Sequence, residues 1–386
     1  MIAVDRILND LHKASPAPLH ARVRDALTMQ ISDGTLKPGD VLPSERILQE
    51  KLGISRATVR AALRALIESG LVQSVPGSGN YVLEQENRLM LPPPVASDQN
   101  TIGLIVSYPS FHIYYGQLAA VFNQRLRQAG WHTDMALHND RMDSLQEILS
   151  NMLLHNVRVF SINPPPYVDI APILDDLRAH GALVQLLGRW VDYPHCDYVG
   201  ANNELIGYQA TQHLIHLGHT QIIYQGGSAH PTGRDRAAGY VRAMLKSGLA
   251  PRIFSIHNQW EMPVSSAFAQ YMDSQNNPET LFNDIVQRKI TAAFCFNDEG
   301  AAWIYSEIRK FNLSVPRDLS LVSVDNMPFY GYFDAPLTTF ALPGEEVGRQ
   351  AAEVMLRRIA GEIFPPQRIY IPARFVQRLS TAPPRA

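Results

Sequence analysis

Between Thr101 and Asn326 the chain keeps changing its hydrophobic period, from a strand's to a helix's and back. "TIGLIVSY" is a short apolar run. "YYGQLAAVFNQRLRQAG" has helical apolar spacing and a glycine stop. "HTDMAL" is a strand again and "RMDSLQEILSNMLLHN" a helix. The rhythm continues through "VRVFSIN", "APILDDLRAHG", "ALVQLLG", "IGYQATQHLIHLG", "QIIYQGG", "DRAAGYVRAMLKSG", "ITAAFCFN", "EGAAWIYSEIRKF" and "LSLVSVDN". Strands joined by helical crossovers pair in parallel, and a parallel sheet needs helices on both faces. Residues 101–386 are too many for one such sheet, so two doubly wound α/β lobes are expected. Lobe 1 is drawn over about 101–200 and 329–342, and lobe 2 over about 201–328 and 343–380. In these folds ligands bind outside the carboxyl ends of the strands. The loops there, "SYPSFHIYY", "GRWVDYP", "GGSAHPTGRDR", "HNQW", "FNDEG" and "VDNMPFY", are rich in aromatics, Arg, Asn and Asp. Carboxylates and amides bond paired hydroxyls, Arg donates a fork, and aromatic faces stack on C–H surfaces, which is the chemistry of sugar recognition.

A break precedes this body. "NRLMLPPPVASDQN" places three prolines in a row ahead of polar residues, and neither a helix nor a ladder strand tolerates that. Residues 87–100 therefore read as an extended tether. Before it, residues 15–86 spell helix "LHARVRDALTMQISDG", loop "TLKPGDVLP", helix "SERILQEKLG", turn "IS", helix "RATVRAALRALIESG", then "LVQSVPG" and "GNYVLEQE" as a hairpin. Three helices and a hairpin make a winged helix-turn-helix, with Ser44 and Ser55 placed to cap the second and third helices. A preceding segment, Ile2–His12, has helical character and no assigned role.

The formal net charge is only −2, so any polyanion footprint is local. It is found between Ser44 and Leu66, where Arg46, Lys51, Arg56, Arg60 and Arg64 face Glu45 and Glu50. Arg56, Thr58 and Arg60 lie near a helix N-terminus, where backbone N–H groups and the dipole also favour phosphate. An Arg fork can pair with guanine O6 and N7. The tip "PGSG", Pro76 to Gly79, lets backbone approach a groove edge. Hydrophobic content of 46% excludes a disordered chain. No window of the sequence is long and apolar enough for a membrane span, and the two cysteines, Cys196 and Cys295, form no disulfide framework. A cytoplasmic protein is expected. No P-loop, G-x-S-x-G or H-E-x-x-H occurs, and "HLIHLGH" lacks an acid or cysteine at ligand spacing. No metal, cofactor or catalytic residue is expected, and the chain is read as a non-enzyme.

The reader segment resembles the DNA-binding domain of the gluconate-repressor (GntR) family over Pro18–Val82, through "G-x-L-x-PG-x-x-LPSER", "SR-x-TVR-x-AL-x-x-L" and "GLV". The resemblance implies DNA contacts at Arg46, Arg56, Thr58, Arg60 and the wing glycine Gly77, with the capping Ser55 beside them. Ser78 and Asn80 replace the family's usual wing residues. Residues from Thr101 to about Arg378 resemble the effector domain of the lactose-repressor (LacI) family, itself like periplasmic sugar-binding proteins. The matching pieces include "YVGANNELIGYQATQHLIHLGHTQIIYQGG", "R-A-A-G-Y", "FCFNDEGAAW" and "VPRDLSLVSVDN". This implies ligand contacts at Tyr114, Tyr115, Thr232, Arg236, Trp260, Asn297, Asp325 and Phe329. Arg189, near a position often acidic in that family, joins them as a departure, as does "ANN" at Ala201–Asn203. Other readings stay open: Tyr114 and Tyr115 as core aromatics, Trp260 as packing between lobes, and Asp298 as a helix cap. The combination resembles the arabinose-repressor type of regulator. It implies a homodimer whose partners are double-stranded operator DNA and a small effector, a sugar or sugar derivative, with no membrane. A solute-binding protein and an enzyme on the α/β body are the competing classes.

Overall fold

Two serines decide where the reader's helices begin. The Ser44 hydroxyl accepts the Ile47 amide at 3.3 Å and opens α2 (Glu45–Leu52), which Gly53 closes in a left-handed conformation, φ 65°. The Ser55 hydroxyl accepts the Thr58 amide at 3.2 Å and opens α3 (Arg56–Glu68). Ahead of them α1 (Leu19–Ser32) packs on α3. Val23, Leu27, Leu48, Val59, Leu63 and Leu66 from all three helices share one core. A short strand not foreseen in the sequence, β1 (Val41–Leu42), joins β2 (Val72–Val75) and β3 (Gly79–Val82) in an antiparallel sheet of order β1-β3-β2.

The computed structural model describes residues 19–32, 35–37, 39–68, 72–75, 79–82, 100–107, 113–227, 230–257, 260–261, 266–273, 276–328 and 333–385. Ile2–His12, the wing tip with Gly77, almost all of the tether and Phe329 lie outside them. Residues 1–88 and 89–386 cluster as separate units, each described by itself.

The second unit holds two six-stranded sheets. The first is built from β4 (Thr101–Ser107), β5 (His132–His138), β6 (Val159–Ile162), β7 (Leu183–Leu187), β8 (Asp197–Ala201) and, from far along the chain, β16 (Arg368–Ile371). Its order is β16-β8-β7-β6-β4-β5, parallel throughout. Its helices are α4 (Ile113–Gln128), α5 (Met142–Leu154), α6 (Ala171–Ala179) and α11 (Gly344–Ile359). The second sheet has order β10-β9-β13-β14-β15-β17. These are β9 (Ile222–Gln225), β10 (Ile253–Phe254), β13 (Ala292–Cys295), β14 (Ser320–Val324), β15 (Thr338–Ala341) and β17 (Arg374–Val376). All pairs are parallel except the antiparallel β15–β17. Its helices are α7 (Asn203–His216), α8 (Pro231–Lys246), α9 (Pro278–Val286) and α10 (Asp298–Arg309), and a two-stranded ribbon of β11 (Ile256–His257) and β12 (Trp260–Glu261) stands apart from it.

The division into lobes differs from the one expected. Residues 338–341 belong to the second sheet, where Val322 to Val324 of β14 pair with Thr338 to Phe340 of β15. Most of 343–380 belongs to the first lobe. There α11 buries Val347, Ala351, Ala352 and Met355 against Leu118 and Phe122 of α4, and β16 extends the sheet beyond β8. Gly344 and Gly348 allow the approach: a Cβ would lie 2.5 Å from the Tyr114 carbonyl oxygen and 2.4 Å from that of Leu118. The chain thus crosses between lobes near 202, near 342 and again near 372. Periodicity shows that α11 is amphipathic but not which sheet it covers.

The tail belongs to lobe 2. Ser320 and Leu321 on β14 bond to Ala382 and Ser380, and His219 bonds to Thr291, Ser320 and the Ala382 carbonyl. His213 bonds to Thr381. Two of the three histidines of "HLIHLGH" therefore hold the C-terminal tail.

Helices α7 and α8 touch backbone to backbone. A Cβ on Gly207 would meet the Arg236 carbonyl oxygen at 2.0 Å, and one on Gly239 the Glu204 carbonyl oxygen at 2.0 Å. Gly239→Ala is expected to destabilise the body by about 1–3 kcal/mol, because two helix backbones rather than a flexible side chain must give way. Urea unfolding followed by circular dichroism measures it; an unchanged midpoint would show that α8 shifts freely.

Candidate functional site

On the reader, the capped start of α3 presents Arg56 and Arg60 on one face, one turn apart. Both guanidiniums reach back to a single carboxylate on α2. Arg56 Nε donates to Glu45 Oε2 at 3.0 Å, and Arg60 Nε donates to Glu45 Oε1 and Oε2 at 3.1 and 3.0 Å. The side chains remain 64% and 57% exposed, so their forks still face solvent. The hydrogen bond from Arg56, joined by Arg60, holds the Glu45 carboxyl below its usual range. Arg46 pairs with Glu50 one turn away. The Thr58 hydroxyl lies 2.8 Å from that of Ser55. Glu45, which charge counting enters only as a subtraction, is the residue that orders the arginine pair.

On the body, the carboxyl ends of β4, β7, β8, β9, β13 and β14 converge on a cavity of about 110 Å³ between the lobes. Arg236 is its best-anchored side chain. Buried on α8, it donates from Nε to Asn203 Oδ1 (2.9 Å) and from Nη1 to the Phe296 carbonyl, and its guanidinium lies 4.9 Å from the Phe296 ring centroid. Its Nη2 has no hydrogen bond among the described residues and is available to a ligand. Opposite, Arg189 is buried in lobe 1. It donates from Nη1 to Asp140 Oδ1 (2.6 Å) and to the Pro164 carbonyl (3.1 Å). Asp140 adopts φ 63° with its amide donating to His138 Nδ1, and His138 Nε2 faces the Asn163 carbonyl. That pattern fits a neutral His138 with its proton on Nε2; burial also lowers its pKa.

Asp325 ends β14 at φ 116°, an unusual conformation for an aspartate. Its carboxylate has neither hydrogen bond nor ion pair among the described residues. Burial raises its pKa to about 7, against the opposing pull of Arg236. Asp298 braces the turn from behind, accepting from the Ser323 hydroxyl, from the Thr339 hydroxyl at 2.7 Å and from the Met327 amide at 2.7 Å. Burial and the neighbouring Asp325 raise its own pKa to about 6. The cap of α10 is instead Asn297, whose Oδ1 accepts the Gly300 amide at 2.9 Å. The sequence reading of Asp298 as that cap is therefore corrected by one residue. Such capping leaves the Asn297 amide nitrogen for the cavity.

Seven residues singled out in the sequence line this one cavity: Tyr114, Tyr115, Arg189, Thr232, Arg236, Asn297 and Asp325. The two tyrosines are also core residues, each 5% exposed, so both readings of them hold at once. Trp260 is on the β11–β12 ribbon, and its side chain lies outside the described residues. Sequence reasoning missed Gly188, His230, Phe296 and Leu342, whereas Ala201 and Asn203 stand in the "ANN" already singled out as a departure. Gly188 is required: at φ 66° a Cβ there would lie 2.9 Å from the Tyr115 hydroxyl. His230 and Phe296 sat inside quoted loops but carried no signal separating them from their neighbours. Among the described residues no group of three or more His, Cys, Asp or Glu is placed to hold a metal ion.

Residues 19–82 match the family described as bacterial regulatory proteins, gntR family, and residues 211–381 match the periplasmic binding protein-like domain. An arabinose metabolism transcriptional repressor from Geobacillus stearothermophilus is 28% identical over 358 residues, covering 90% of this chain and 93% of that protein. Among solved structures, a LacI family transcriptional regulator from Enterococcus faecium with bound ribose aligns with TM-score 0.58 and 23% identity, over 74% of this chain and all of that one. The lac repressor dimer bound to operator and an anti-inducer aligns with TM-score 0.60 and 20% identity, over 74% of this chain and 96% of that one. These likenesses establish the fold of the body.

Asp325 gives the body a pH dependence of definite sign. Its folded pKa lies above an unfolded value of about 3.9, so its ionisation costs stability progressively from about pH 4 to 7 and fully above that. Asp325→Asn is expected to raise the melting temperature more at pH 8 than at pH 5. Equal differences at both pH values, by differential scanning fluorimetry, would show that the carboxyl is not buried as described.

Proposed function

We propose that this chain, a gntR-family winged helix-turn-helix joined to a two-lobed periplasmic-binding-protein-like body, is a ligand-responsive DNA-binding transcriptional regulator, a repressor whose operator affinity is set by a sugar between the lobes. One observation carries the reading. A cavity at the strand ends gathers a fixed Arg236 whose Nη2, like the Asp325 carboxylate, has no hydrogen bond among the described residues, with an Asn297 amide and two tyrosines. Asp325 accepts from two adjacent hydroxyls, Arg236 and Asn297 donate to ring or hydroxyl oxygens, and the tyrosine rings offer apolar faces. The relative from Geobacillus stearothermophilus makes arabinose the first candidate, and the ribose-bound neighbour supports a sugar of similar size.

Two chains would place their readers on the half-sites of a pseudo-palindrome, with Arg46, Arg56, Thr58, Arg60 and the wing glycine Gly77 at the duplex. Closure of the lobes around a sugar alters the spacing or order of the tether that includes Pro92, Pro93 and Pro94. A coupling of about 1–3 kcal/mol is sufficient for regulation. The protein binds its sugar without converting it and works where the chromosome is, in the cytoplasm. No described helix is long and apolar enough to cross a membrane.

The test uses purified full-length protein and a duplex selected from a random pool by binding. Arabinose or ribose should shift the anisotropy titration, and the sugar should be recovered unchanged. Failure of both sugars and of their acid derivatives to shift either DNA affinity or melting temperature would sink the sugar reading. Arg56→Ala and Arg60→Ala should each weaken the selected duplex by about 1–3 kcal/mol. Unaltered affinity would mean that this pair serves only to bind Glu45.

A further inference from the structure

We propose that His230 is a specificity-determining contact of the cavity, and that Tyr167, reaching across the cleft from the other lobe, is the positioning residue that holds its ring in register. The proposal rests on the sugar reading above and adds two residues to it.

His230 lines the cavity at the entry to α8, where its carbonyl accepts the Arg234 amide at 2.8 Å. Its Nδ1 lies 2.9 Å from the Thr232 hydroxyl, so that nitrogen is occupied. Nε2 has no hydrogen bond among the described residues. Burial, with Arg189 and Arg236 nearby, pushes the ring's pKa well below its ordinary value. The imidazole is therefore neutral, and a neutral ring reads a hydroxyl rather than an anion. When the Thr232 hydroxyl donates to Nδ1, Nε2–H is the donor presented to the ligand.

The ring is fixed from both sides of the cleft. Phe296, of its own lobe, stands edge-to-face at 5.5 Å and 67°. Tyr167, of lobe 1, stands edge-to-face at 5.7 Å and 77°. Tyr167 is not a core residue: it is 48% exposed and adopts φ 63°, which a bulky side chain rarely does. What presents it is a second proline triplet, Pro164 to Pro166, buried between β6 and α6. Prolines fix φ, so the triplet is a stiff stalk with Tyr167 at its tip. The stalk's first carbonyl also accepts from Arg189, so one element places a cavity wall and the residue that crosses the cleft. Tyr167 thereby makes the orientation of His230 depend on the position of the opposite lobe.

Isothermal titration of arabinose and ribose into the full-length protein tests this, with folding checked by circular dichroism. His230→Phe keeps the ring packing but removes both nitrogens. It should raise the Kd of whichever sugar binds by about tenfold and change the arabinose-to-ribose ratio. Tyr167→Ala should raise Kd by about threefold, and Tyr167→Phe should restore it. In the His230→Phe background Tyr167→Ala should cost nothing further, since no nitrogen remains to be aimed. A residue that merely helped the lobes to close would cost the same in both backgrounds, and that result overturns the positioning role. Wild-type affinity in His230→Phe overturns the specificity role while leaving the sugar reading intact. Absence of binding by the wild type itself fails the sugar reading, and this proposal with it. Should His230→Phe not fold, His230→Gln carries the same ratio measurement, and an unchanged ratio counts against the proposal.

Discussion

Two glycines allow the body's ligand chemistry to exist. Gly207 and Gly239 let α7 and α8 meet backbone to backbone, with carbonyl oxygens standing where a Cβ would otherwise be. That closeness puts Arg236, on α8, within reach of Asn203 at the start of α7. Asn203 lies where the chain passes from the first lobe to the second, and it orients the guanidinium through Nε while Phe296 takes Nη1. A side chain with several rotatable bonds is thereby reduced to one pose before any ligand arrives, so little entropy remains to be lost on binding. Widening the α7–α8 contact by the width of a methyl group would move Arg236 and loosen the cavity wall it forms.

Both ends of the molecule treat charge the same way. On the reader, Glu45 gathers Arg56 and Arg60 without burying them, so two mutually repelling guanidiniums stay on one face and exposed. In the body, Arg189 meets Asp140 inside the protein, and a lone buried cation is avoided. Asp325 is the exception. Among the described residues its carboxylate has no partner, and it sits at a strained φ with burial opposing its ionisation. Asp298 makes this tolerable by tying the following turn to β14 and β15. A group held at such cost and facing a cavity is positioned for something brought from outside.

Much was readable along the chain because it is local. The capping serines and the alternation of periods each depend on a few neighbouring residues. Seven of the expected cavity residues do meet, because doubly wound sheets bring strand ends together whatever their spacing in sequence. The lobe boundaries were read wrongly for the complementary reason. An amphipathic helix such as α11 announces a buried face but not its partner, and the partner proved to be α4, more than two hundred residues earlier. His230 and Tyr167 went unseen because no local pattern links a residue before α8 to one after three prolines in the other lobe.

From its amino-acid order alone the chain specified two kinds of folding unit, many of the strands and helices in each, and the types of side chain gathered at the strand ends. Those follow from backbone stereochemistry and short-range periodicity. Tertiary structure alone decided which lobe each C-terminal element joins, that Glu45 gathers the reader's arginines, that Asn297 rather than Asp298 caps α10, and that Asp325 faces the cavity with no partner among the described residues. These are matters of distance between residues far apart in the chain, and only close packing of the finished fold sets such distances.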